Sequence, residues 1–351
     1  MEHDNTVPES ISRRRALATI LGIPPILLGL ASVENVATTL ETTSATRATK
    51  KPSIDVATLE QYHEFLRLYW ELDYTSTAQE SIDDIERWIR HLRSIAPNAG
   101  GSQQLVIELM CRYHQLATWI ARDQRDYVTA FTHANRAVKL AFSTENSELI
   151  AAALFRRGRT SLEQGNIGAA ITDLDAALPH AQRARPQLKG LVLLAAGHAH
   201  AHAPDITSTD AMYARTLLDQ AGRIVRRGHL EEDESFVKLN TGRFHLDKAG
   251  ALIAVGQHNE ALDELDLAAR GVGPEQTRRH AYINVLRTQA YVGMGDFEIA
   301  TTIAEDALSV SKGIKSAINI ARIEELCEQI SNSKYGNAPQ AERLKLKLAS
   351  R

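Results

Sequence analysis

Pairs of alanines seven residues apart recur through the middle of this 351-residue chain. Seven residues are two turns of an α-helix, so both members of a pair lie on one helical face, where small side chains let a neighbouring helix come close. The pairs begin at intervals of 40, 44, 47 and 39 residues: Ala130 and Ala137, Ala170 and Ala177, Ala214 and Ala221, Ala261 and Ala268, Ala300 and Ala307. A local pattern at this period predicts an array of similar helical units.

A short turn precedes the first alanine of each pair. Three of these turns contain a glycine, which tolerates the left-handed backbone conformation that ends a helix: Gly165, Gly256 and Gly295. Asn166 and Asp296 follow at positions where a side chain caps the next helix. Each unit is therefore predicted to consist of a helix, a turn and a second helix.

These units resemble the tetratricopeptide repeat family over about residues 105–315. The matching residues fall into three units: Gly158, Gly165, Ala170, Leu174 and Ala177; Ala249, Leu252, Gly256, Ala261, Leu265 and Ala268; Ala290, Tyr291, Gly295, Asp296, Phe297, Ala300 and Ala307. The unit around Ala214 departs from the pattern, because Gly197 and Ala214 are 17 residues apart and a turn-rich loop separates them. The resemblance implies an all-α, right-handed superhelix of about six helix pairs, in which the first helix of each pair lines a concave groove.

Three stretches also resemble the tetratricopeptide arms of bacterial regulators that carry a Cro/repressor-type DNA-binding domain in front: residues 62–70, 117–124 and 158–166. In such proteins the repeats sense a peptide or a partner protein and control the DNA-binding part. Residues 17–23 resemble only the turn of such a domain, and Pro24 and Pro25 follow directly. A complete DNA-binding domain is not predicted, and the resemblance implies a sensing or docking role.

Residues 1–53 are predicted to be a separate appendage, with an apolar run over residues 16–31 and a flexible linker before residue 54. The run is too short, and at its double proline too kinked, for a standard transmembrane helix. Three hypotheses stay open: a twin-arginine-like export signal beginning at Ser12, a remnant of a helix-turn-helix domain, and a cap on the array or a local anchor. We expect a cytoplasmic protein, with export or membrane attachment through residues 16–31 as the alternative.

The remaining boundaries follow from helical periodicity. Residues 54–100 are predicted as a divergent first helix pair, whose aromatic stripe is assigned to the core. Residues 101–330 are predicted as the array, which ends in a capping helix over residues 317–330. Residues 331–351 are predicted as a polar tail, with a helix over residues 341–348 as the alternative.

The resemblance to tetratricopeptide repeats implies which side chains line the groove. Carried over position by position, with close neighbours included, they are Arg112, Gln115, Trp119, Arg122, Phe155, Arg156, Arg159, His198, Arg243, Tyr282 and Gln289. Arginine is frequent in this set although the net charge of the chain is −3. Because guanidinium groups pair with carboxylates in two parallel hydrogen bonds, an acidic peptide or a free C-terminal carboxylate is the expected partner. The alternative is that these arginines form ordinary surface ion pairs with residues such as Asp123 and Glu163.

Catalytic and metal sites are not predicted. His198 and His202 share a helical face while His200 points away, and no H-E-x-x-H pattern accompanies them. Neither a Ser/His/Asp set nor a phosphate-binding loop stands out. The two cysteines, Cys111 and Cys327, are predicted to be buried and reduced. We therefore expect no enzymatic activity, no metal ion and no cofactor.

The sequence thus favours a non-enzymatic scaffold that binds a protein or peptide in a concave groove. The alternatives are a peptide-sensing arm of a bacterial transcriptional regulatory system and an exported repeat protein. The small net charge gives no reason to expect direct binding of nucleic acid. The sequence makes no prediction of the oligomeric state.

Overall fold

The computed structural model describes residues 56–75, 82–204, 206–228, 239–273 and 276–349. The predicted appendage, residues 1–53, and the apolar run within it lie outside the described residues. Among the helices that are described, none combines the length and the apolar character that crossing a membrane requires.

The described part of the chain is all-α, as the sequence predicts, and contains no β-strand. Its fourteen α-helices are α1 (Val56–Thr75), α2 (Ile82–Ile95), α3 (Gln103–Asp123), α4 (Tyr127–Thr144), α5 (Ser147–Glu163), α6 (Ile167–Ala181), α7 (Pro186–Ala201), α8 (Ser208–Arg227), α9 (Thr241–Ala254), α10 (His258–Arg270), α11 (Thr277–Met294), α12 (Phe297–Gly313), α13 (Ala317–Ser331) and α14 (Pro339–Ala349). Two short 3₁₀ turns, Ala96–Asn98 and Gly100–Ser102, connect α2 to α3.

Glycines end the first helix of three pairs in the predicted way. Gly165, Gly256 and Gly295 have φ angles of 81°, 76° and 82°, in the left-handed region that glycine adopts without strain. The Asn166 side chain caps α6 by accepting a hydrogen bond from the backbone of Ala169. Asp296 precedes α12 in the same way, but its side chain makes no capping hydrogen bond. The predicted turn geometry is thus confirmed. Of the two predicted capping side chains, Asn166 makes the capping hydrogen bond and Asp296 does not.

Close packing of alanines joins the two helices of each pair. Helices α3 and α4, α5 and α6, α7 and α8, α9 and α10, and α11 and α12 pack together as consecutive partners. All ten alanines of the sequence pattern lie on the second helix of a pair and are at most 2% exposed. A β-carbon built on Gly158 of α5 would lie only 2.7 Å from Cγ of Leu174 on α6. The small residues are therefore needed because the helices approach too closely for larger ones.

The first helices of successive pairs also contact one another. Helix α3 packs on α5, α5 on α7, α7 on α9, α9 on α11, and α11 on α13. These six helices form a continuous row, called the inner row below. The paired, stacked arrangement is that of an array in which each unit buries its apolar face against its neighbours.

The two ends of the array differ in how well they follow the prediction. The first pair, α1 and α2, packs its stripe of Tyr62, Leu66 and Trp70 into the core, as expected. At the other end, the segment predicted as a polar tail contains α14. Ala341 and Leu344 of α14 are buried in the core cluster that α12 shares. The chain therefore has seven helix pairs within its described residues, one more than the sequence analysis predicted.

Candidate functional site: an arginine-lined cavity on the inner row

Two ion pairs join helices that lie four pairs apart along the inner row. Asp123, the last residue of α3, accepts a hydrogen bond from Nη1 of Arg278 on α11 at 2.5 Å. Glu163, the last residue of α5, accepts from Nη2 of Arg322 on α13 at 2.5 and 2.6 Å, through both carboxylate oxygens. We call these two ion pairs the clasps. Because each clasp connects distant units, the inner row curves back on itself and its faces oppose one another.

A cavity of about 390 Å³ lies inside this curve. That volume is at the small end of the range found for ligand pockets. Most of its lining comes from α5, α11 and α13, with further residues from α4, α6, α7 and α9 and from the turns after α3, α5 and α7. The polar side chains that line it include Arg159, Glu163, His198, Tyr282, Gln289 and Arg322. The cavity is thus lined by residues that come from as early in the chain as Arg125 and as late as Gln329.

Positive charge exceeds negative charge around the cavity. Five guanidinium groups act electrostatically on one another or on the same two carboxylates, those of Glu163 and Asp247. The five are Arg122, Arg159, Arg243, Arg279 and Arg322, and we call them the arginine cluster. Adding the Asp123–Arg278 clasp leaves the excess unchanged, since it contributes one charge of each sign.

Two members of the arginine cluster have buried atoms without a hydrogen-bond partner among the described residues. These atoms are Nε of Arg122 and Nη1 of Arg159. The Arg122 guanidinium lies 4.2 Å from the ring centre of Trp119, so the indole ring covers the face of the guanidinium. The Nε atom, at the edge of the guanidinium, keeps no hydrogen-bond partner among the described residues. Burial lowers the pKa of Arg122 to about 10. An anion brought to this edge would supply the interaction that the protein itself does not.

The two acidic residues of the site are held in their charged form. Burial alone would raise the pKa of Glu163, but Arg322, Arg122 and Arg159 together lower it below its ordinary value. In the same way, burial opposes and Arg243 favours the ionised form of Asp247, and the pKa of Asp247 is lowered on balance. Nε of Arg243 donates to Asp247 at 2.8 Å. Both carboxylates are therefore negative at neutral pH.

A pair of stacked histidines lies on the α7 side of the cavity. The ring centres of His198 and His202 are 4.5 Å apart, and the His202 Nδ1 atom lies 2.9 Å from the backbone oxygen of His198. Burial, and then the neighbouring His202 and arginines, lower the pKa of His198 well below its ordinary value. Nδ1 of His198 is buried and makes no hydrogen bond within the described residues. His198 is thus a neutral side chain at the cavity wall with one ring nitrogen unsatisfied.

The structure brings together only part of the predicted groove set. Arg159, His198, Tyr282 and Gln289 line the cavity. Arg122 and Arg243 belong to the arginine cluster beside it, and Trp119 packs under Arg122. Arg112 lies half-buried on α3 and is not among the cavity-lining side chains.

Three predicted groove residues are buried elsewhere, which corrects the prediction for them. Arg156 is 7% exposed, donates from Nε to Oε1 of Gln115 at 3.0 Å and lies 4.3 Å from the ring centre of Trp70. Gln115 is itself 3% exposed. Phe155 packs in the central core cluster. Trp70 of α1 covers Arg156, while Phe155 packs among core residues of the central helices, so these side chains are buried in the fold and do not line the cavity.

Several important residues were missed from the sequence. Glu163 and Asp123 entered the analysis only as local ion-pair partners, and Arg278 and Arg322 not at all. One signal was available: Asp123 and Glu163 each precede a turn and are 40 residues apart, the same interval as Ala130 and Ala170. An acidic residue repeated at equivalent positions indicates a shared role at the ends of neighbouring helices.

In the part of the chain that the structure describes, no three His, Cys, Asp or Glu side chains are arranged to hold a metal ion. Cys111 and Cys327 are free and buried, as predicted. Burial raises the pKa of Cys111 to about 12, so this thiol is not a thiolate at neutral pH.

Comparison with known proteins does not assign the chain to a family. No protein-family model matches the chain, and no curated protein matches it in sequence.

Proposed function

We propose that this chain is a non-enzymatic binding protein, a right-handed superhelix of tetratricopeptide-like helix pairs whose inner surface receives an acidic segment of a peptide or protein partner. The proposal for the superhelix is supported by the paired packing, the small residues at the crossings and the continuous inner row. The proposal for the partner is supported by the charges of the inner surface.

One observation carries the choice of an acidic partner: Arg122 and Arg159 present buried nitrogen atoms that no described residue satisfies. A buried, unsatisfied donor on a charged group costs stability, and it persists where a ligand completes it. The five arginines of the arginine cluster interact with only two carboxylates, so we expect the added partner to carry negative charge. Guanidinium groups favour carboxylates, because their planar forks match in geometry.

The clasps favour a second candidate, the peptide-sensing arm of a transcriptional regulatory system. A sensor must change shape when its ligand binds, and a ligand can do this only if it interacts differently with two states. The clasps connect α3 with α11 and α5 with α13 on the surface where the ligand would bind. A ligand that opened a clasp would therefore alter the curvature of the whole array.

Peptide selection tests the acidic partner. A library of random octapeptides would be selected on the full chain and on Arg159→Gln, with Arg215→Gln as the matched control. Arg215 is an exposed arginine of α8 that pairs with Glu260 at 3.3 Å. We expect the selected peptides to be rich in Asp and Glu, and their recovery to fall about tenfold on Arg159→Gln and stay unchanged on the control. Enrichment of neutral or basic peptides, or equal recovery on all three proteins, would contradict the proposal.

A further inference from the structure

The cavity is closed more tightly than an open groove. Both clasps join distant helices of the inner row, and the clasp between Glu163 and Arg322 lines the cavity of about 390 Å³. An extended peptide could not run along the inner row without breaking at least one clasp. A single side chain or the end of a chain could enter the cavity while the rest of the ligand stayed outside.

Glu163 is paired with Arg322, the arginine of the cavity that is best placed to receive such a group. Both Glu163 oxygens accept from Nη2 of Arg322. Arg322 is held in place by two further contacts: its Nη1 donates to Asn319 at 3.1 Å, and its guanidinium lies 4.3 Å from the ring centre of Tyr282. Arg322 would therefore keep its position if Glu163 moved away, and its charge would be open to another carboxylate.

Two unsatisfied groups line the same cavity. Nη1 of Arg159 and Nδ1 of His198 are both buried and lack hydrogen-bond partners among the described residues. His198 is only 9% exposed, and a β-carbon on Gly250 would lie 3.1 Å from its Cε1 atom, so the ring is confined against the cavity wall. A neutral imidazole can donate from Nδ1, and a guanidinium donates from Nη1. Arg159, His198 and Arg322 together therefore offer more hydrogen-bond donors than the Glu163 carboxylate satisfies.

We infer that the cavity is a binding site for one carboxylate group of the ligand, which takes Arg322 from Glu163 and bonds to Arg159 and His198. This inference rests on the proposed function, since it names the group of the acidic partner that enters. In this exchange Arg322 pairs with one carboxylate before the ligand binds and with one carboxylate afterwards. The gain comes from Nη1 of Arg159, which acquires the hydrogen-bond partner that it lacks, and the release of Glu163 opens the clasp between α5 and α13.

Glu163→Gln gives the sharpest test, because glutamine has the same shape and no charge. The probe is hexaglutamate with an N-terminal fluorescein, titrated into the full chain by fluorescence anisotropy. If Glu163 competes with the ligand, the variant binds the probe about tenfold more tightly than the wild type, the factor that one charge-assisted hydrogen bond provides. Arg159→Gln is expected to bind the probe about tenfold more weakly.

Glu325→Gln is the matched control. Glu325 also lines the cavity, is exposed, and is not a clasp residue. Its replacement removes the same charge from another helix of the cavity lining, α13, and is expected to change affinity by about twofold or less, as for a solvent-exposed charge. Circular dichroism would establish that each variant folds. Glu163→Asp, which keeps the charge but shortens its reach to Arg322, is the second variant and is expected to show an affinity between those of the wild type and Glu163→Gln.

The outcomes separate this inference from the proposed function. If acidic peptides are selected but Glu163→Gln binds hexaglutamate no more tightly than the wild type or Glu325→Gln, the exchange is overturned and the acidic partner stands. If hexaglutamate binds none of the proteins, the carboxylate site is overturned. A C-terminally amidated probe identifies the source of the carboxylate: lost affinity assigns the site to a chain terminus, equal affinity assigns it to a side chain, and both support the inference.

Discussion

Arg322 and Glu163 are 159 residues apart in the sequence and form a hydrogen-bonded ion pair with N–O distances of 2.5 and 2.6 Å. The pair joins α5, the second helix of the inner row, to α13, the last helix of that row, four helix pairs further along. A contact of this kind is unusual for an array, in which each unit ordinarily contacts only its neighbours. A ligand that displaced Glu163 from Arg322 would remove this long-range contact.

The two clasps are expected to differ in their contribution to stability. Arg322→Gln leaves the largely buried Glu163 carboxylate without its main partner, and should lower the free energy of unfolding by about 3 kcal/mol. Arg278 is 36% exposed, so Arg278→Gln should cost less than about 1 kcal/mol. Urea unfolding followed by circular dichroism measures both. Equal losses would mean that burial does not distinguish the two pairs.

Acid should destabilise the array through two buried histidines. Nδ1 of His114 lies 2.8 Å from Nδ1 of His133, whose Nε2 faces Glu86 at 3.3 Å. Burial, with the neighbouring His133, Arg136 and Arg93, lowers the pKa of His114 to about 3. Burial likewise lowers the pKa of His133, against the opposing effect of Glu86.

The sign of this effect follows from the unfolded chain, in which a histidine has a pKa of about 6.5. Between about pH 6.5 and pH 3 the unfolded chain binds a proton that His114 of the folded chain does not, so stability falls as the pH falls. His114→Gln should remove about 2 kcal/mol of the loss between pH 7 and pH 5. Urea unfolding at half-unit pH intervals tests this, and parallel curves for the variant and the wild type would refute it.

Two glycine-to-alanine substitutions should have opposite effects. Gly158→Ala places a β-carbon 2.7 Å from Cγ of the buried Leu174, so the helix crossing must widen, at a cost of about 1–3 kcal/mol. Gly168→Ala meets no atom within 4 Å and lies in α6, where alanine is favoured by about 0.5 kcal/mol. Thermal unfolding of the two variants compares them directly. Destabilisation by both would show that the close crossing is not what selects glycine.

Two arginines three residues apart on α5 should separate stability from binding. Arg156→Ala removes the hydrogen bond to Gln115 and the contact with Trp70, and should lower the unfolding free energy by about 2 kcal/mol. Arg159→Ala removes a guanidinium with an unsatisfied nitrogen and should change stability by less than about 1 kcal/mol. Urea unfolding and peptide binding on the same samples measure both properties. The reverse order of stabilities would contradict these assignments.

The local architecture could be predicted from the sequence because its causes are local. The alanine pairs mark the helices that cross closely, and the glycines mark the ends of the helices before them. Each signal depends on residues within one unit. The last helix was predicted only as an alternative to a polar tail, because α14 is short and only two of its side chains, Ala341 and Leu344, are buried.

The site could be predicted only in part, because its geometry depends on rotations added over many units. The repeat pattern selected Arg159 and added Arg156 only as a neighbour, but the pattern could not show that Arg156 is buried, which depends on its packing against Trp70 of α1. The pattern contains no information about Arg322, whose partner is set by how far the inner row turns between α5 and α13. Sequence periodicity predicts the single helix pair, whereas the cavity depends on the rotation that accumulates over several helix pairs.

The spacing of the two ion pairs has a consequence for how this chain can vary. Families of repeated modules commonly diversify by duplicating or losing a module, since one more or one fewer changes little at each junction. Here Asp123 meets Arg278, and Glu163 meets Arg322, only because a fixed number of modules intervenes. One module inserted or deleted between them would carry both arginines past their acidic partners, so the length of this protein is constrained in a way that its individual modules are not.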